Sequence, residues 1–291
     1  NEDARVRSSV ARVLGPLGDR SAVQPLLDRL YDPDVLVGDR VAEALGRLGD
    51  VSAAPALVTA LESSQEAVRA RAAYGLGLLK FEAAVGTLAE RLRADTPMVA
   101  RRAAEALASI GTSEALAALT VPLADAELTP ARHAAMTGLE LAGERSSAAL
   151  VSALTADDAT LRSHAAEMLG YVKPADAVSP LAAALQDTEP AVREQAAWAL
   201  GEIANPEAQD ALARAATQAT DDATKTAIAA AQQRAGQTAG GLRPNAVFGD
   251  RFFSQLSNVP ATSWTFFGLF VILALALLAM TPRTEPLRPS R

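Results

Sequence analysis

Apolar residues recur along this chain at a fixed spacing of 31 positions. Steps of 31 from Val6 lead, without an insertion or a deletion, to Val37, Val68, Val99, Pro130, Leu161, Val192 and Ala223. A period of this length is typical of proteins in which one two-helix unit is repeated and each copy stacks on its neighbours. The pattern therefore predicts about eight copies of a single unit.

The first half of each unit has the apolar spacing of an amphipathic helix. In the second unit Val37, Val41 and Leu45 stand four residues apart, so they share one helical face. Gly46 and Gly49 follow, and glycine at this place supplies the backbone conformation that ends a helix. We name this segment helix A.

A second apolar stripe follows the glycines and predicts a second helix. Ala53, Leu57 and Leu61 are again four residues apart, and we name this segment helix B. Pro33 and Asp34 stand in the turn before the next helix A, where an aspartate can cap the helix N-terminus. The prediction is an all-α solenoid of about eight units.

Composition agrees with closely packed helices and excludes several functions. Apolar residues make up 49% of the 291 residues but aromatic residues only 4%, so most buried side chains must be alanine, leucine and valine. The net charge of -7 leaves no basic surface for nucleic acid. The chain has no cysteine, which excludes disulfides and thiolate chemistry.

Several segments share one pattern, clearest in DRVAEALGRLGDVSAAPALVTAL and AVREQAAWALGEIANPEAQDAL and in the ranges 34–61, 66–92 and 189–212. These segments resemble HEAT repeats of the short bacterial type, which also occurs in phycobilin lyases and in designed arrays. The resemblance extends over residues 1–235 and implies an α-solenoid used mainly for binding proteins. It does not imply one particular partner.

Two units depart from the repeated pattern. In the fifth unit Gly138 stands where leucine is expected and Leu139 where glycine is expected. We therefore expect helix A of this unit to shift or bulge by one residue, either at a functional place or as a tolerated packing defect. The eighth unit keeps only a polar helix A over residues 221–235, as a terminal cap should.

The C-terminal part has a different pattern, which predicts a membrane anchor. Residues 262–281 carry no charge and are long enough to cross a bilayer. The predicted divisions are a solenoid at 1–235, a flexible linker with an amphipathic juxtamembrane segment at 236–261, a transmembrane helix at 262–281 and a short basic tail at 282–291. The predicted anchoring residues are Trp264, Phe266, Phe267, Phe270, Phe252 and Phe253.

The flanking charges predict an orientation for this anchor. Arg283, Arg288 and Arg291 follow the apolar segment, and the positive-inside rule places such a tail in the cytoplasm. We therefore expect a single-pass membrane protein whose solenoid is extracytoplasmic, in the periplasm. The lack of an initiator methionine agrees with a removed leader peptide. The reverse orientation is the alternative.

One column of cationic residues runs through successive copies of helix A. Its members are Arg40, Arg71, Arg102, His133 and His164, each 31 positions after the last. They are interpreted either as a track for an anion or an acidic partner, with pH sensitivity from the histidines, or as an ordinary solvated face. Glutamates three residues after three of them favour the solvated face.

The residues provide no constellation for catalysis. Iron-binding HEAT-like dioxygenases use His-Glu pairs, whereas both histidines here are followed by alanine. No motif of a serine triad, a phosphate loop or a dinucleotide site is present. We therefore predict no catalytic residue, no cofactor and no metal.

Outward positions of helix B give the candidate contact surface. They are small in the fourth and fifth units, at Ala117, Val121, Ala124, Ala148 and Ser152, and small side chains allow close approach of a partner at little entropic cost. The predicted function is a membrane-anchored, protein-binding scaffold, an accessory subunit of a larger membrane protein complex that also contacts the lipid bilayer. The alternatives are a lyase-type or chaperone-like enzyme acting on a membrane-associated protein, and a receptor for a soluble ligand.

Overall fold

The computed structural model describes residues 2–239, and all of the regular structure in that range is helical. In chain order the α-helices are α1 (Ala4–Leu17), α2 (Val23–Leu27), α3 (Val35–Leu48), α4 (Ala54–Ala60), α5 (Glu66–Leu79), α6 (Val85–Ala94), α7 (Pro97–Ile110), α8 (Ser113–Thr120), α9 (Pro130–Ala142), α10 (Ser147–Ala153), α11 (Ala159–Val172), α12 (Val178–Ala184), α13 (Pro190–Ile203), α14 (Pro206–Gln218) and α15 (Asp222–Ala239). The odd-numbered helices are the predicted helices A and the even-numbered ones the helices B. The all-α repeat architecture is thereby confirmed.

Helix ends follow the chemistry that the sequence indicated. The Asp34 carboxylate accepts a hydrogen bond from the backbone N–H of Val37 and caps α3. Gly49 ends the same helix in the left-handed conformation, with φ of 70°. Lys80 and Lys173 take this conformation at the ends of α5 and α11, with φ of 51° and 56°.

The core grows from unit to unit as helices A stack on one another. Leu45 of α3 and Leu57 of α4 are fully buried between the two layers. Successive helices A approach closely, since a Cβ added to Gly15 would lie 2.9 Å from the Cα of Ala44 in the next helix. Small residues at these two positions therefore set the spacing of the array.

Arginine–aspartate pairs join the turns of successive units, and we call them staples. Arg69 donates from Nε and Nη2 to both carboxylate oxygens of Asp95, at 2.8 and 2.6 Å, while its Nη1 donates to the carbonyl of Ser63 before its own helix. Arg162 and Asp187 repeat this geometry. Arg7 and Asp32 also form this bidentate pair, whereas Arg193 reaches Asp221 through Nη2 alone, at 3.2 Å, and donates from Nε to Thr224 Oγ1.

These pairs hold the aspartates in their charged form. Hydrogen bonds from Arg162 lower the pKa of Asp187, although burial opposes the shift. The same cause lowers the pKa of Asp32, which is paired with Arg7. Each staple therefore contributes stability that depends on an ionised carboxylate.

The predicted one-residue shift in the fifth unit is present. A Cβ on Gly138 would lie 2.9 Å from Leu119 Cδ2 and 3.0 Å from the carbonyl oxygen of Ala104. Gly75, two units earlier, faces the equivalent residues Leu57 and Ala42. Two units span 62 positions, but Gly138 follows Gly75 by 63 positions. Helix α9 has thus advanced by one residue relative to its neighbours.

The stacking of helices A changes after this shift. Successive helices A pack along one another from α1 to α9 and again from α11 to α15. Between these two runs, α9 and α11 share few contacts. Helix α11 instead contacts the 3₁₀ turn Val121–Ala124, at the end of the fourth unit. The A layer is therefore interrupted between the fifth and sixth units.

The prediction of a single-pass membrane protein is corrected. Within residues 2–239 no helix is both long enough and apolar enough to cross a bilayer. The physical reason is visible in the longest helix, α15, whose 18 residues include Lys225, Gln232, Gln233 and Arg234. Three predicted segments lie outside the described residues: the transmembrane helix at 262–281, the tail at 282–291 and the part of the linker beyond residue 239.

Candidate protein-binding surface

The predicted contact residues on helix B lie on two neighbouring helices. Ala117 on α8 and Ala148 on α10 are both exposed, as are Val121 and Ser152 one turn further along. Helices α8 and α10 pack against each other, so the four residues belong to one surface. Ala124 is half-buried at the end of its turn and adds little to that surface.

The equivalent positions of the sixth unit are also small and exposed. Ser179 and Ala183 on α12 are exposed and stand 31 positions after Ala148 and Ser152. We call these six exposed residues, which lie on α8 and the turn that follows it, on α10 and on α12, the small-residue face. The sequence already contained the signal for the last two, because the 31-residue step leads to them directly.

Charged residues bound the small-residue face at both ends. At the equivalent positions the adjacent third unit carries Gly86 and Glu90, and the seventh unit carries Asp210 and Arg214, all exposed. A groove of about 590 Å³ separates α12 from α14, and Ser179, Asp210 and Arg214 are among its lining residues. The uncharged surface therefore ends at a groove with both acidic and basic side chains.

Arg71, in the predicted cationic column, is buried and donates hydrogen bonds to backbone carbonyls. Its Nη1 donates to the carbonyls of Leu30 and Asp32, at 3.0 and 3.2 Å. Its guanidinium fills the space above Gly38, where a Cβ would collide with it. Since Gly38 stands where Arg7 and Arg69 form staples, Arg71 takes over the contacts that the missing arginine would make in that turn.

The other members of the column have different surroundings. Arg40 and Arg102 pair with Glu43 and Glu105 on their own helices, at 2.6 and 2.8 Å, and Arg102 also lies over the Tyr74 ring, 4.8 Å from its centroid. Such intrahelical pairs contribute tenths of a kcal/mol.

The two histidines also differ from each other. His164 Nδ1 donates to the carbonyl of Leu123 at 2.6 Å, whereas His133 is exposed. The column therefore does not form one continuous row of free cations.

Metal-ligating side chains are not clustered in the part of the chain that the structure describes. No group of three or more histidine, aspartate or glutamate residues there is arranged to hold a metal ion. The predicted anchoring residues cannot be placed, since all six of them lie beyond residue 239: Phe252, Phe253, Trp264, Phe266, Phe267 and Phe270.

Comparisons with known proteins agree with this repeat architecture. The sequence profile of HEAT repeats matches residues 1–67, 55–140 and 147–232. No curated protein matches the chain.

Among solved structures, Kap121p in a mutant form superposes with a TM-score of 0.55 at 16% identity, over 81% of this chain and 32% of that one. The chain thus spans about a third of Kap121p, and at this identity the likeness shows the fold alone. Human deoxyhypusine hydroxylase in complex with glycerol shows 25% identity over 81% of this chain and 92% of that one, with a TM-score of 0.36.

The complex of CpcE and CpcF of phycocyanin lyase from Nostoc sp. PCC7120 shows 22% identity over 80% of this chain and 90% of that one, with a TM-score of 0.41. The superpositions on the hydroxylase and on the lyase are too loose to support a functional argument.

Proposed function

Since this chain belongs to the HEAT-repeat family, we propose that it is a non-catalytic scaffold that binds a protein partner across the small-residue face. In this proposal the chain is an accessory subunit that organises a larger protein assembly. The observation that carries the proposal is the row of small, uncharged and exposed positions on α8, α10 and α12, of which α8 and α10 pack against each other.

The chemistry of this face suits the backbone or a helix of another protein. Alanine and serine have little or no rotamer freedom to lose, so a partner can pack closely against them without a large entropic cost. Val121 adds an exposed apolar side chain at the edge of the face. The charged residues at either end then fix the register of the partner through electrostatic complementarity.

A bulky cation placed in the middle of the face tests this proposal. Ala148→Arg puts a long charged side chain on an exposed helix position of α10. We expect the variant to remain folded and to lose the native assembly, because the guanidinium would separate the two surfaces. The measurement is the sedimentation of the full chain, extracted at its natural abundance from its own cells.

Ala229→Arg on α15 is the matched control, because this alanine is exposed on a helix away from the face. The control should sediment in the same assembly as the natural chain. The proposal fails if the natural chain sediments as a free monomer, or if both variants retain the assembly.

A further inference from the structure

The fifth unit keeps the arginine of a staple. Arg132 follows Arg69 by 63 positions, which is two units plus the one-residue shift of α9. Its Nη1 donates to the carbonyls of Asp125 and Ala126 before α9, at 3.5 and 3.3 Å, and Arg69 makes the same contacts in its own turn. Only 11% of the Arg132 side chain is exposed, against 14% for Arg69. Arg132 therefore matches a staple arginine in position, backbone contacts and burial.

The bidentate half of this staple is not formed. In the bidentate staples, the arginine donates from Nε and Nη2 to the two carboxylate oxygens of an aspartate in the next turn. Arg132 Nε is buried and has no hydrogen-bond partner among residues 2–239. Its Nη2 lies 3.8 Å from Glu167 Oε2 on α11, which is an ion pair but too long for a hydrogen bond. A buried guanidinium N–H without an acceptor costs free energy, so this arrangement favours the approach of a second carboxylate.

The chain also keeps the aspartate that would complete the staple. Asp157 follows Asp95 by 62 positions, or two units, and both stand directly before the residue that caps the next helix A. Asp157 is exposed, and its carboxylate forms no hydrogen bond or ion pair within the part of the chain that the structure describes. Arg132 and Asp157 are thus the two members of a staple, held apart where α9 and α11 share few contacts.

Contacts of α11 with other elements keep these two residues apart. His164 Nδ1 donates to the carbonyl of Leu123 at 2.6 Å, and α11 packs against the turn Val121–Ala124. Glu167, one turn further along α11, is the residue that pairs with Arg132. One guanidinium therefore has two competing carboxylates: Glu167 in the present arrangement, and Asp157 when the N-terminal ends of α9 and α11 approach each other.

We propose that the joint between α9 and α11 has a second, closed arrangement, in which Arg132 leaves Glu167 and forms the missing staple with Asp157. Nε and Nη2 then each donate to one oxygen of the Asp157 carboxylate, as Arg69 donates to Asp95. Closing moves the units from α11 onward relative to the first five. Helices α8 and α12 lie on opposite sides of the joint, so closing also changes the spacing within the small-residue face. The closed arrangement forms within one chain and needs no partner on that face.

Pulsed electron paramagnetic resonance on the full chain measures the joint directly. The chain has no cysteine, so nitroxide labels attach only at two introduced ones. Arg101→Cys on α7 and Glu194→Cys on α13 place the labels at exposed, equivalent positions on either side of the joint. We expect two distances, of which the shorter belongs to the closed arrangement. Asp39→Cys with Arg101→Cys is the control pair and should give one distance, because helices A pack without interruption from α3 to α7.

Two substitutions should move the populations in opposite directions. Asp157→Asn weakens the closed staple and should lower the ratio of the shorter to the longer distance about tenfold. Glu167→Gln removes the competing carboxylate and should raise the same ratio about twofold to fivefold. Asp210→Asn, at an exposed aspartate on α14, is the matched control and should leave the ratio unchanged.

A purely static role for these residues predicts no such opposition. A single distance that neither substitution changes would overturn the proposal, and so would shifts in the same direction for Asp157→Asn and Glu167→Gln. Two distances whose ratio does not respond to Asp157→Asn would assign the motion to another contact, which also overturns it. Since the measurement uses the chain without a partner, its outcome is separate from that of the sedimentation test of the scaffold function.

Discussion

Gly138 occupies a space that excludes even a methyl group. Its missing Cβ would lie 2.9 Å from Leu119 Cδ2 and 3.0 Å from the Ala104 carbonyl oxygen, and Leu119 and Ala104 are both buried. We expect Gly138→Ala to lower the free energy of unfolding by about 1–3 kcal/mol, since a packed core must shift to accept the methyl group. Urea denaturation followed by circular dichroism measures this change.

Gly86 gives the matched control for that substitution. It lies in α6, and a Cβ there would meet no atom within 4 Å. Gly86→Ala should stabilise the protein by about 0.5–1 kcal/mol, because alanine restricts the unfolded chain and favours the helix. If Gly138→Ala gave the same gain, the shifted register of α9 would be wrong.

The staple between Arg162 and Asp187 makes stability depend on pH. Hydrogen bonds from Arg162 lower the pKa of Asp187 in the folded protein, and both side chains are 12% exposed. A carboxylate with a lowered folded pKa contributes its stability above its ordinary pKa of about 3.9 and loses it as the pH falls through the folded value. Asp187→Asn should therefore cost about 1–3 kcal/mol at pH 7 and weaken the loss of stability below pH 4.

Asp222→Asn is the control for the acid titration. Its carboxylate is fully exposed and lies 3.4 Å from Lys225 on the same helix. This variant should keep the pH dependence of the natural chain in thermal unfolding scans between pH 2 and 7. An unchanged profile for Asp187→Asn would show that the staple does not contribute to acid stability.

At the scale of the helix, the sequence predicted which elements form but not how all of them pack. The 31-residue step located α3 and α5 and the turns between units, because one apolar face must be buried in every copy. It also indicated the shift at Gly138. The interrupted contact between α9 and α11 could not be predicted, since the periodicity shows which face is buried but not which helix buries it.

Some features of the candidate residues could likewise be predicted from the sequence, and others could not. The small-residue face was predicted at Ala117 and Ala148 because outward positions on a helix can be read from spacing alone. The burial of Arg71 was hidden, since it depends on Gly38, which lies 33 positions earlier and leaves room for the guanidinium. A contact between distant residues of this kind follows from the packing of two helices and has no local signal.

At the scale of the whole molecule, the array is held together by contacts between neighbouring units. Each unit in such an array is stabilised by its own helices and by the units on either side. The contact between α9 and α11 is the weak joint of the A layer, while α10 still packs on α11. The first five units and the units from α11 onward therefore form two blocks, joined mainly by the contacts of α11 with α10 and with the turn Val121–Ala124.

Trp198 allows the two blocks to be observed separately. It lies on α13 in the second block and packs edge-on against Tyr171, with 5.1 Å between ring centroids. Replacing the other tryptophan, by Trp264→Phe, leaves Trp198 as the only tryptophan of the chain. Its fluorescence then reports on the second block, whereas circular dichroism reports on all helices.

Gly138→Ala in this single-tryptophan background decides whether the joint uncouples the blocks. The substitution affects α9, which packs on α7 and α8 in the first block. If the blocks unfold separately, the urea midpoint from circular dichroism falls while the Trp198 midpoint stays where it was, because the lost stability belongs to the first block alone. Equal shifts of both midpoints would show one cooperative unit, in which the contacts of α11 with α10 and with the turn Val121–Ala124 transmit stability across the interrupted A layer.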